Sequence, residues 1–396
     1  DYDKAVKLYK QAATHSGGDA DAYMRLARMY GAGKGVGVDH AQALAYKKKA
    51  LQVLRDKARQ GKLYASAELW RRYRDGEMVP QNADKALSWL RQAAEGGHTQ
   101  AQTAYGWRLV TGEGVDRAPE RGLRMVRDSA DEGHGYAMQL LGKAYDNAVG
   151  VERDRQLAAK WYRKAADQGQ LGAMAWLGRA YQDGTGVEPD AETAARWLKQ
   201  AVQKGHKSAR IDLAELYLDG GPGVRAQPRK AVTLLQEAAQ DGEVRALAKL
   251  GEAYLEGRGV KRDVRKAYGL LQRAADRGYV NAYTDIADIF LEGKGGFEKD
   301  PERAVQWLRR ATQEGNASAL TTLAKLRLEG RGALPQNQAI GRQLLGEAID
   351  KGDAYAMVVM GDVYAEGQGV EADLAKAADW YRRAADRGHT TGLVKL

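Results

Sequence analysis

Apolar residues along this chain recur at helical spacing. Ala173, Leu177 and Tyr181 stand four residues apart, and steps of four place side chains on one stripe of a helix. Short segments rich in glycine and aspartate separate such stripes, and this composition is typical of turns. The pattern predicts helices joined by short loops, and its regular return along the chain indicates an internal repeat.

One glycine anchors each copy of the repeat. The spacing between consecutive anchors is 36 or 37 residues, and the anchors are Gly61, Gly97, Gly133, Gly169, Gly205, Gly242, Gly278, Gly315, Gly352 and Gly388. Alanine follows four residues after each anchor up to Gly352. In the following text, each position in a repeat is numbered from its anchor glycine, so this alanine is at position +4. Since one helix-loop-helix unit cannot bury its apolar face alone, the units are expected to stack.

The ends of the predicted helices carry recognisable signals. Asp300-Pro301 places an N-cap residue before proline at the first helical position of a second helix. Second helices close with Ala-Ala-x-x-Gly, where the anchor glycine is expected to adopt a left-handed conformation. Position +9 is glycine or alanine except at Trp70, and a small residue there permits two helices to approach closely.

The repeats predict how the chain is organised. Residues 1–18 are the second half of a truncated repeat, 19–60 a repeat with a longer helix or loop, 61–387 nine regular repeats, and 388–396 the start of a further truncated repeat. The interval between Gly17 and Gly61 is longer, at 44 residues. We expect the additional residues to lengthen a helix or loop at 47–57. Because the chain begins and ends inside a unit, we expect it to be a piece of a longer protein.

Composition excludes several classes of protein. The chain has no cysteine, so disulfides and thiolate metal sites are excluded. It carries a net charge of +10, but the charge is spread evenly, which indicates a solvated surface and no nucleic-acid partner. No run of 18 apolar residues occurs, so no membrane span is predicted.

Glycine pairs of the form Gly-x-Gly follow most first helices, as at Gly184 and Gly186. A dinucleotide-binding loop needs a preceding strand and a third glycine, and a Walker loop needs Gly-Lys-Ser/Thr. Here a helix precedes the pair, Pro189 follows it, and the Walker sequence is absent. The glycines are therefore interpreted as turn residues with positive φ.

The histidines do not predict a metal site or a catalytic site. Four of them, His98, His134, His206 and His389, directly follow an anchor, and the closest pair, His98 and His134, is one repeat apart, roughly 10 Å. Metal ligands must converge on one ion, so we interpret these histidines as surface or capping residues. No Ser-His-Asp or HExxH arrangement appears. The sequence therefore predicts a protein that is not an enzyme and has no cofactor.

The consensus AxxxLGxxYxxGxGVxxDxxKAxxWYRKAAxxG, which covers essentially the whole chain, resembles the Sel-like repeat (SLR) family, a relative of the tetratricopeptide repeats. The resemblance implies an all-α, right-handed α-solenoid of about ten stacked helix pairs and a role in assembling protein complexes. It also implies a bacterial periplasmic or outer-membrane setting, such as exopolysaccharide secretion. Segments 76–78 and 148–150 keep only one glycine of the pair, and Arg327 replaces the usual tyrosine.

Partner binding is predicted on the outward face of the first helices, at positions +3, +7 and +10, opposite the core stripe. In the first regular repeats these positions combine aromatic and basic residues, which are common interface anchors. The candidate residues are Tyr64, Arg71, Trp107, Tyr136, Trp176 and Arg179. The alternative interpretation is that the aromatic residues pack between repeats.

Three functions are consistent with this sequence. The first is a noncatalytic scaffold that holds one or more proteins on a concave surface. The second is a regulatory adaptor that controls a sensor or signalling protein, and the third is direct binding of an acidic polysaccharide along the aromatic residues. The resemblance also allows for a lipid anchor upstream of residue 1.

Overall fold

The computed structural model describes residues 1–15, 18–77, 79–331 and 334–396. Within these ranges it contains 22 α-helices and one 3-10 turn at Lys294–Gly296. In chain order from α1 to α22, the α-helices are Tyr2–Thr14, Ala20–Ala32, His40–Arg59, Leu63–Asp75, Ala83–Glu95, Thr99–Thr111, Pro119–Asp131, Gly135–Asn147, Arg155–Asp167, Leu171–Asp183, Ala191–Gln203, Lys207–Asp219, Pro228–Gln240, Val244–Glu256, Val264–Ala275, Asn281–Glu292, Pro301–Gln313, Ala317–Glu329, Gln338–Asp350, Ala354–Glu366, Leu374–Asp386 and Thr390–Lys395.

The helices pair as the repeat predicts and form two compact units. Unit 1 comprises residues 1–190 with α1–α10, and unit 2 comprises residues 191–396 with α11–α22. Even-numbered helices are first helices and odd-numbered helices are second helices. Within each unit, first and second helices of one repeat pack together, and each pair packs on the next. The predicted all-α solenoid of stacked pairs is confirmed. Across the described ranges, extended structure is limited to one isolated bridge between Gly221 and Val224.

A row of small residues lets the helices approach. All nine +4 alanines, from Ala65 to Ala356, are fully buried. At +9, a Cβ added to Gly106 would lie 2.7 Å from the carbonyl oxygen of Gly122 on the paired helix. Van der Waals packing at this distance requires that the side chain be absent. Trp70, the exception at +9, is buried in the core around α3–α6.

The Gly-x-Gly turns have a geometric function at both glycines. The first, such as Gly184 (φ 72°), ends its helix in the left-handed region. The second approaches the start of the preceding second helix so closely that a Cβ on Gly186 would lie 2.1 Å from the Arg155 carbonyl oxygen. In one of the two repeats that keep a single glycine of the pair, Ala148 adopts the left-handed conformation with φ 56°. Gly17, Met78 and Gly332 lie outside the described residues.

Helix ends follow the predicted capping pattern. The Asp300 carboxylate accepts a hydrogen bond from the Arg303 backbone N–H at 2.9 Å, and every anchor glycine from Gly61 to Gly388 has positive φ. The long first interval lies in α3, which has 20 residues against the 13 of most other helices. Arg327 stands at the position where most repeats have tyrosine. Its guanidinium donates a hydrogen bond to the Pro335 carbonyl oxygen at 3.1 Å.

Candidate functional site

The open face of the first helices is formed by positions +3 and +10, and position +7 lies at its edge. At +7 the prediction of an outward side chain is wrong for Leu140, Asp212 and Val359, all of which are buried. With 3.6 residues per turn, +7 lies only about 60° from +4 around the helix, whereas +3 and +10 lie about 100° or more away. The neighbouring helix therefore covers +7 but leaves +3 and +10 exposed or half-buried.

Trp176, which occupies +7 on α10, packs between repeats. Its indole ring stacks on the buried Tyr162 ring with centroids 4.2 Å apart, and its indole N–H donates to the Asp146 carboxylate at 2.9 Å. Burial raises the pKa of Tyr162 above its usual range, with the Asp146 charge adding to the rise. Trp176 is thus half-buried with its polar atom already paired, which matches the alternative interpretation for this residue. Arg179, on the same helix, is exposed.

Tyr64 and Arg71 mark the first part of the face, on α4. Tyr64 is 50% exposed. The Arg71 guanidinium donates to the Gln100 side-chain oxygen on α6 and lies 3.6 Å from the Glu68 carboxylate. With His98 and other residues they line a pocket of 210 Å³. Small-molecule sites usually occupy about 300–1,000 Å³, so this pocket fits a single side chain of a partner better than a free metabolite.

Trp107 and Tyr136 continue the face on α6 and α8. The Lys143 ammonium lies 5.7 Å from the centroid of the half-buried Trp107 ring. Tyr136 is 47% exposed and meets the His134 ring edge-on, with centroids 6.4 Å apart. The His134 ring is held in turn by a 2.8 Å hydrogen bond between its Nδ1 and Thr103 Oγ1. This arrangement orders the aromatic rings before any partner arrives.

The six predicted residues therefore lie on four successive first helices of unit 1, but they are connected by residues that the sequence prediction did not select. Gln100, Lys143 and Asp146 each contact one of the six across a repeat boundary. Gln100 and Lys143 occupy +3 and +10 themselves, so the same periodicity could have included them. Asp146 stands at +13, outside the pattern, and carried no signal in the sequence.

The face of unit 2 has a different chemistry, because carboxylates replace the aromatic residues. The buried Asp212 carboxylate is paired with Arg245 of the next repeat at 2.7 Å, and Glu215 with the same guanidinium at 2.5 Å. Asp285 occupies the equivalent +7 position two repeats later. No hydrogen bond or ion pair reaches it from the described part of the chain. Burial, with the charges of Glu252 and Asp288, raises the pKa of Asp285 to about 7.

Two of the four histidines that follow an anchor glycine act as helix caps through their side chains. The Nδ1 atoms of His98 and His206 accept from the backbone N–H groups of Ala101 and Ala209, at 3.4 Å and 3.1 Å. Within the described ranges, His, Asp and Glu side chains form no group of three or more that could hold a metal ion. None of the helices described above is long and apolar enough to cross a membrane.

A family model described as the Sel1 repeat matches almost the whole chain. The eleven matched segments are residues 1–16, 20–52, 63–98, 99–134, 135–170, 172–206, 207–243, 244–279, 280–316, 317–353 and 354–389. No curated protein sequence matches the chain.

Solved structures similar to this chain include several repeat proteins. A protective antigen of uropathogenic Escherichia coli strains that displays an SLR fold is 28% identical, with 99% of this chain and 81% of that chain covered and a TM-score of 0.64. A Sel1 repeat protein from Oxalobacter formigenes is 29% identical, with 77% and 88% covered and a TM-score of 0.48. Yeast Tom70 is 15% identical, with 99% and 91% covered and a TM-score of 0.51, and this likeness concerns the fold alone.

Proposed function

Since the chain belongs to the Sel1 repeat family, whose members are generally protein-interaction scaffolds, we propose that it is a noncatalytic scaffold that binds a protein partner on the open face of unit 1. This face is defined by the +3 and +10 side chains of α4, α6, α8 and α10. Its binding residues are Tyr64, Arg71, Trp107, Tyr136 and Arg179, supported by Gln100 and Lys143. Trp176 belongs to the packing beneath it.

The exposure of Tyr64 and Tyr136 carries this proposal. Both tyrosines are about half exposed on first helices whose opposite stripe is fully buried, so their rings contribute little to the core. Large, rigid aromatic side chains beside cations are the groups that most often anchor protein interfaces. The same repeat positions in unit 2 hold mainly polar residues, so the aromatic character does not follow from the fold.

Site-specific crosslinking tests where a partner binds. We would replace Tyr64 or Tyr136 with a photoreactive phenylalanine in the native host and identify the crosslinked proteins by mass spectrometry. The control places the same group at Lys160, which is exposed on the second helix α9. We expect a discrete adduct from the two tyrosine positions and none from Lys160. Equal crosslinking from all three positions would contradict a binding face on the first helices.

A paired substitution gives an independent measure. Tyr64→Ala with Tyr136→Ala removes two exposed rings, and each interface aromatic of this kind contributes about 1–2 kcal/mol or more to binding. We therefore expect capture of the crosslinked partner to fall about tenfold or more while the melting temperature stays within 2 or 3 °C, roughly the effect of a surface change. Unchanged capture would show that these rings are not anchors.

We also propose that the assembly belongs to the bacterial cell envelope, in the periplasm or at the outer membrane, and serves a process such as exopolysaccharide secretion. This setting is the one that the resemblance to Sel-like repeat proteins implies, and the chain is similar over nearly its whole length to a protective antigen of uropathogenic Escherichia coli strains. Cell fractionation of the native full-length product tests this proposal. Recovery in the cytoplasmic fraction would contradict it, and recovery with the envelope would leave the process to be tested by deleting the gene and measuring secreted polysaccharide.

A further inference from the structure

The α6–α8 part of the open face carries one exposed cation. Five of its six +3, +7 and +10 side chains are neutral: Gln100, Ala104, Trp107, Tyr136 and Leu140. The acidic residue of α8, Asp146, accepts the Trp176 indole N–H. The sixth side chain is Lys143, which is exposed. Among the residues that the structure describes, its ammonium contacts the Trp107 ring but forms no ion pair. The cation is held at a defined place, and its N–H donors remain open to solvent.

The equivalent lysine of unit 2 provides an internal comparison. Lys325, also at +10, lies 5.5 Å from the Tyr355 ring centroid and 3.3 Å from the Tyr355 hydroxyl oxygen. It lines a groove whose other charged side chains have both signs: Asp288, Glu292 and Glu329 beside Lys299 and Arg331. The same lysine-on-aromatic geometry therefore lies among several carboxylates and cations in unit 2, whereas in unit 1 the other +3, +7 and +10 side chains of α6 and α8 are neutral. The fold alone does not require the charge at Lys143 to stay unbalanced.

The aromatic rings of the α6–α8 face are better suited to a peptide than to a sugar. A sugar ring stacks on an open aromatic face, but Lys143 lies over the Trp107 ring and the His134 ring packs against Tyr136. Lysine over an indole instead presents an ammonium beside apolar surface. A peptide with a carboxylate near an apolar side chain can pair with the ammonium and cover the apolar surface at the same time.

From this charge complementarity, we propose that the α6–α8 face binds an acidic, extended segment of a protein partner, with a carboxylate on Lys143 and an apolar or aromatic side chain against Tyr136. This rests on the proposed scaffold function and names its ligand chemistry. Tyr136 and Lys143 lie seven residues apart on α8, about 10 Å along the helix axis. An extended chain advances about 3.3 Å per residue, so the segment carries its acidic residue three positions from its apolar one.

Peptide selection on the full chain tests this inference. Random phage-displayed peptides would be selected on the wild-type protein, and the enriched peptides synthesised and titrated by fluorescence anisotropy. We expect enrichment of Asp or Glu three positions from an aromatic or large apolar residue. Lys143→Gln should weaken these peptides about tenfold, as loss of a charge-assisted contact does, and added salt should weaken wild-type binding. Lys325→Gln, the matched control, should bind as the wild type does.

The other possible outcomes distinguish failure of the acidic-ligand assignment from failure of the scaffold function. Enriched peptides that are basic or uncharged, or acidic peptides that bind Lys143→Gln as tightly as the wild type, would overturn the acidic-ligand assignment. If such peptides still lose affinity in the Tyr64→Ala and Tyr136→Ala variant, the scaffold function stands. If no peptide depends on the open face, both fail. If no acidic peptide is enriched but an acidic oligosaccharide such as oligoalginate binds the wild type and not Lys143→Gln, the ligand is a polysaccharide and the protein assignment is wrong. Circular dichroism of each variant confirms that it is folded.

Discussion

At the scale of the residue, the position after each anchor glycine shows how one fold requirement is met by different chemistry. The first helix needs an acceptor for its free backbone N–H groups. His98 supplies Nδ1, whereas Asn316 supplies Oδ1 to Ala319 N–H at 2.9 Å. Only the neutral imidazole can accept, and burial, with the nearby Arg71 charge, lowers the pKa of His98 below its ordinary value of 6.5. The histidine cap is therefore sensitive to pH and the asparagine cap is not.

Replacing His98 by asparagine should remove part of the acid sensitivity of unit 1. Since the pKa of His98 is lower in the folded state, its contribution is fully present above pH 6.5. It is lost as the pH falls towards the folded-state pKa, because the unfolded chain binds the proton first. We expect His98→Asn to match the wild type at pH 8 and to exceed it at pH 5 by about 1 kcal/mol, the usual contribution of a cap. Urea unfolding at both pH values measures this, and an equal loss of stability in both proteins would refute it.

At the scale of the element, one first helix of unit 2, α14, neutralises the carboxylates of the preceding first helix, α12. Arg245, at +3, reaches back to Asp212 and Glu215 of the preceding repeat. Asp285 and Asp288 stand at the corresponding positions, but the +3 residue that follows them is Ser318. No such pairing forms there in the described part of the chain, and when the half-buried Asp285 is ionised, Lys249 and Lys294 offset its charge only in part.

Ser318→Arg should place a guanidinium beside Asp285, as Arg245 stands beside Asp212, and should stabilise unit 2 at neutral and higher pH. Because the pKa of Asp285 is raised to about 7 from 3.8, the wild type is expected to lose stability as the pH rises between these values. The unfolded chain releases the proton first in that range. The introduced guanidinium should recover about 1 kcal/mol at pH 8, allowing for solvent screening, and little at pH 4.

Ser318→Gln, which adds length without charge, serves as the control. Thermal unfolding of the three proteins at pH 4 and pH 8 makes the comparison. If the arginine and glutamine variants are equally stable at pH 8, the arginine charge does not stabilise the ionised Asp285, and the prediction is wrong.

At the scale of the whole molecule, stability is distributed along each stack. Repeat pairs contact their immediate neighbours, and stability in such arrays is approximately a sum of local and nearest-neighbour contributions. One close crossing in unit 1 is at Gly106, whose backbone meets Gly122. Damage at this crossing should therefore remain local and should not unfold the unit as a whole.

Gly106→Val places a branched side chain against backbone that cannot yield, and overpacking of this kind costs about 1–3 kcal/mol. Hydrogen exchange followed by mass spectrometry should show faster exchange in α6 and α7 and in the adjoining α5 and α8, with α2 and α3 unchanged. Gln100→Val, on the exposed face of the same helix, should change little. Uniformly faster exchange from α1 to α10 would show that unit 1 unfolds as one cooperative block.

Much of this fold was predictable because its determinants are local and repeated. The +4 alanines, the turn glycines and the Asp-Pro helix start each act within a few residues, and the 36-residue interval reinforces them. The neighbouring residues alone were enough to interpret the two glycines as turn residues. The second requirement for glycine, the close contact between Gly186 and the Arg155 backbone, could be seen only in the structure, because it joins residues of successive repeats.

The sequence by itself determined the repeat, its helices and caps, and which side of each first helix is apolar. Only the tertiary structure decided which outward positions are open. It placed Trp176 under Tyr162 and against Asp146, left Tyr64 and Tyr136 exposed, and set the exposed Lys143 over Trp107. The physical reason is that periodicity fixes the direction of a side chain on its own helix, whereas its exposure and charge balance depend on the side chains that neighbouring repeats place beside it.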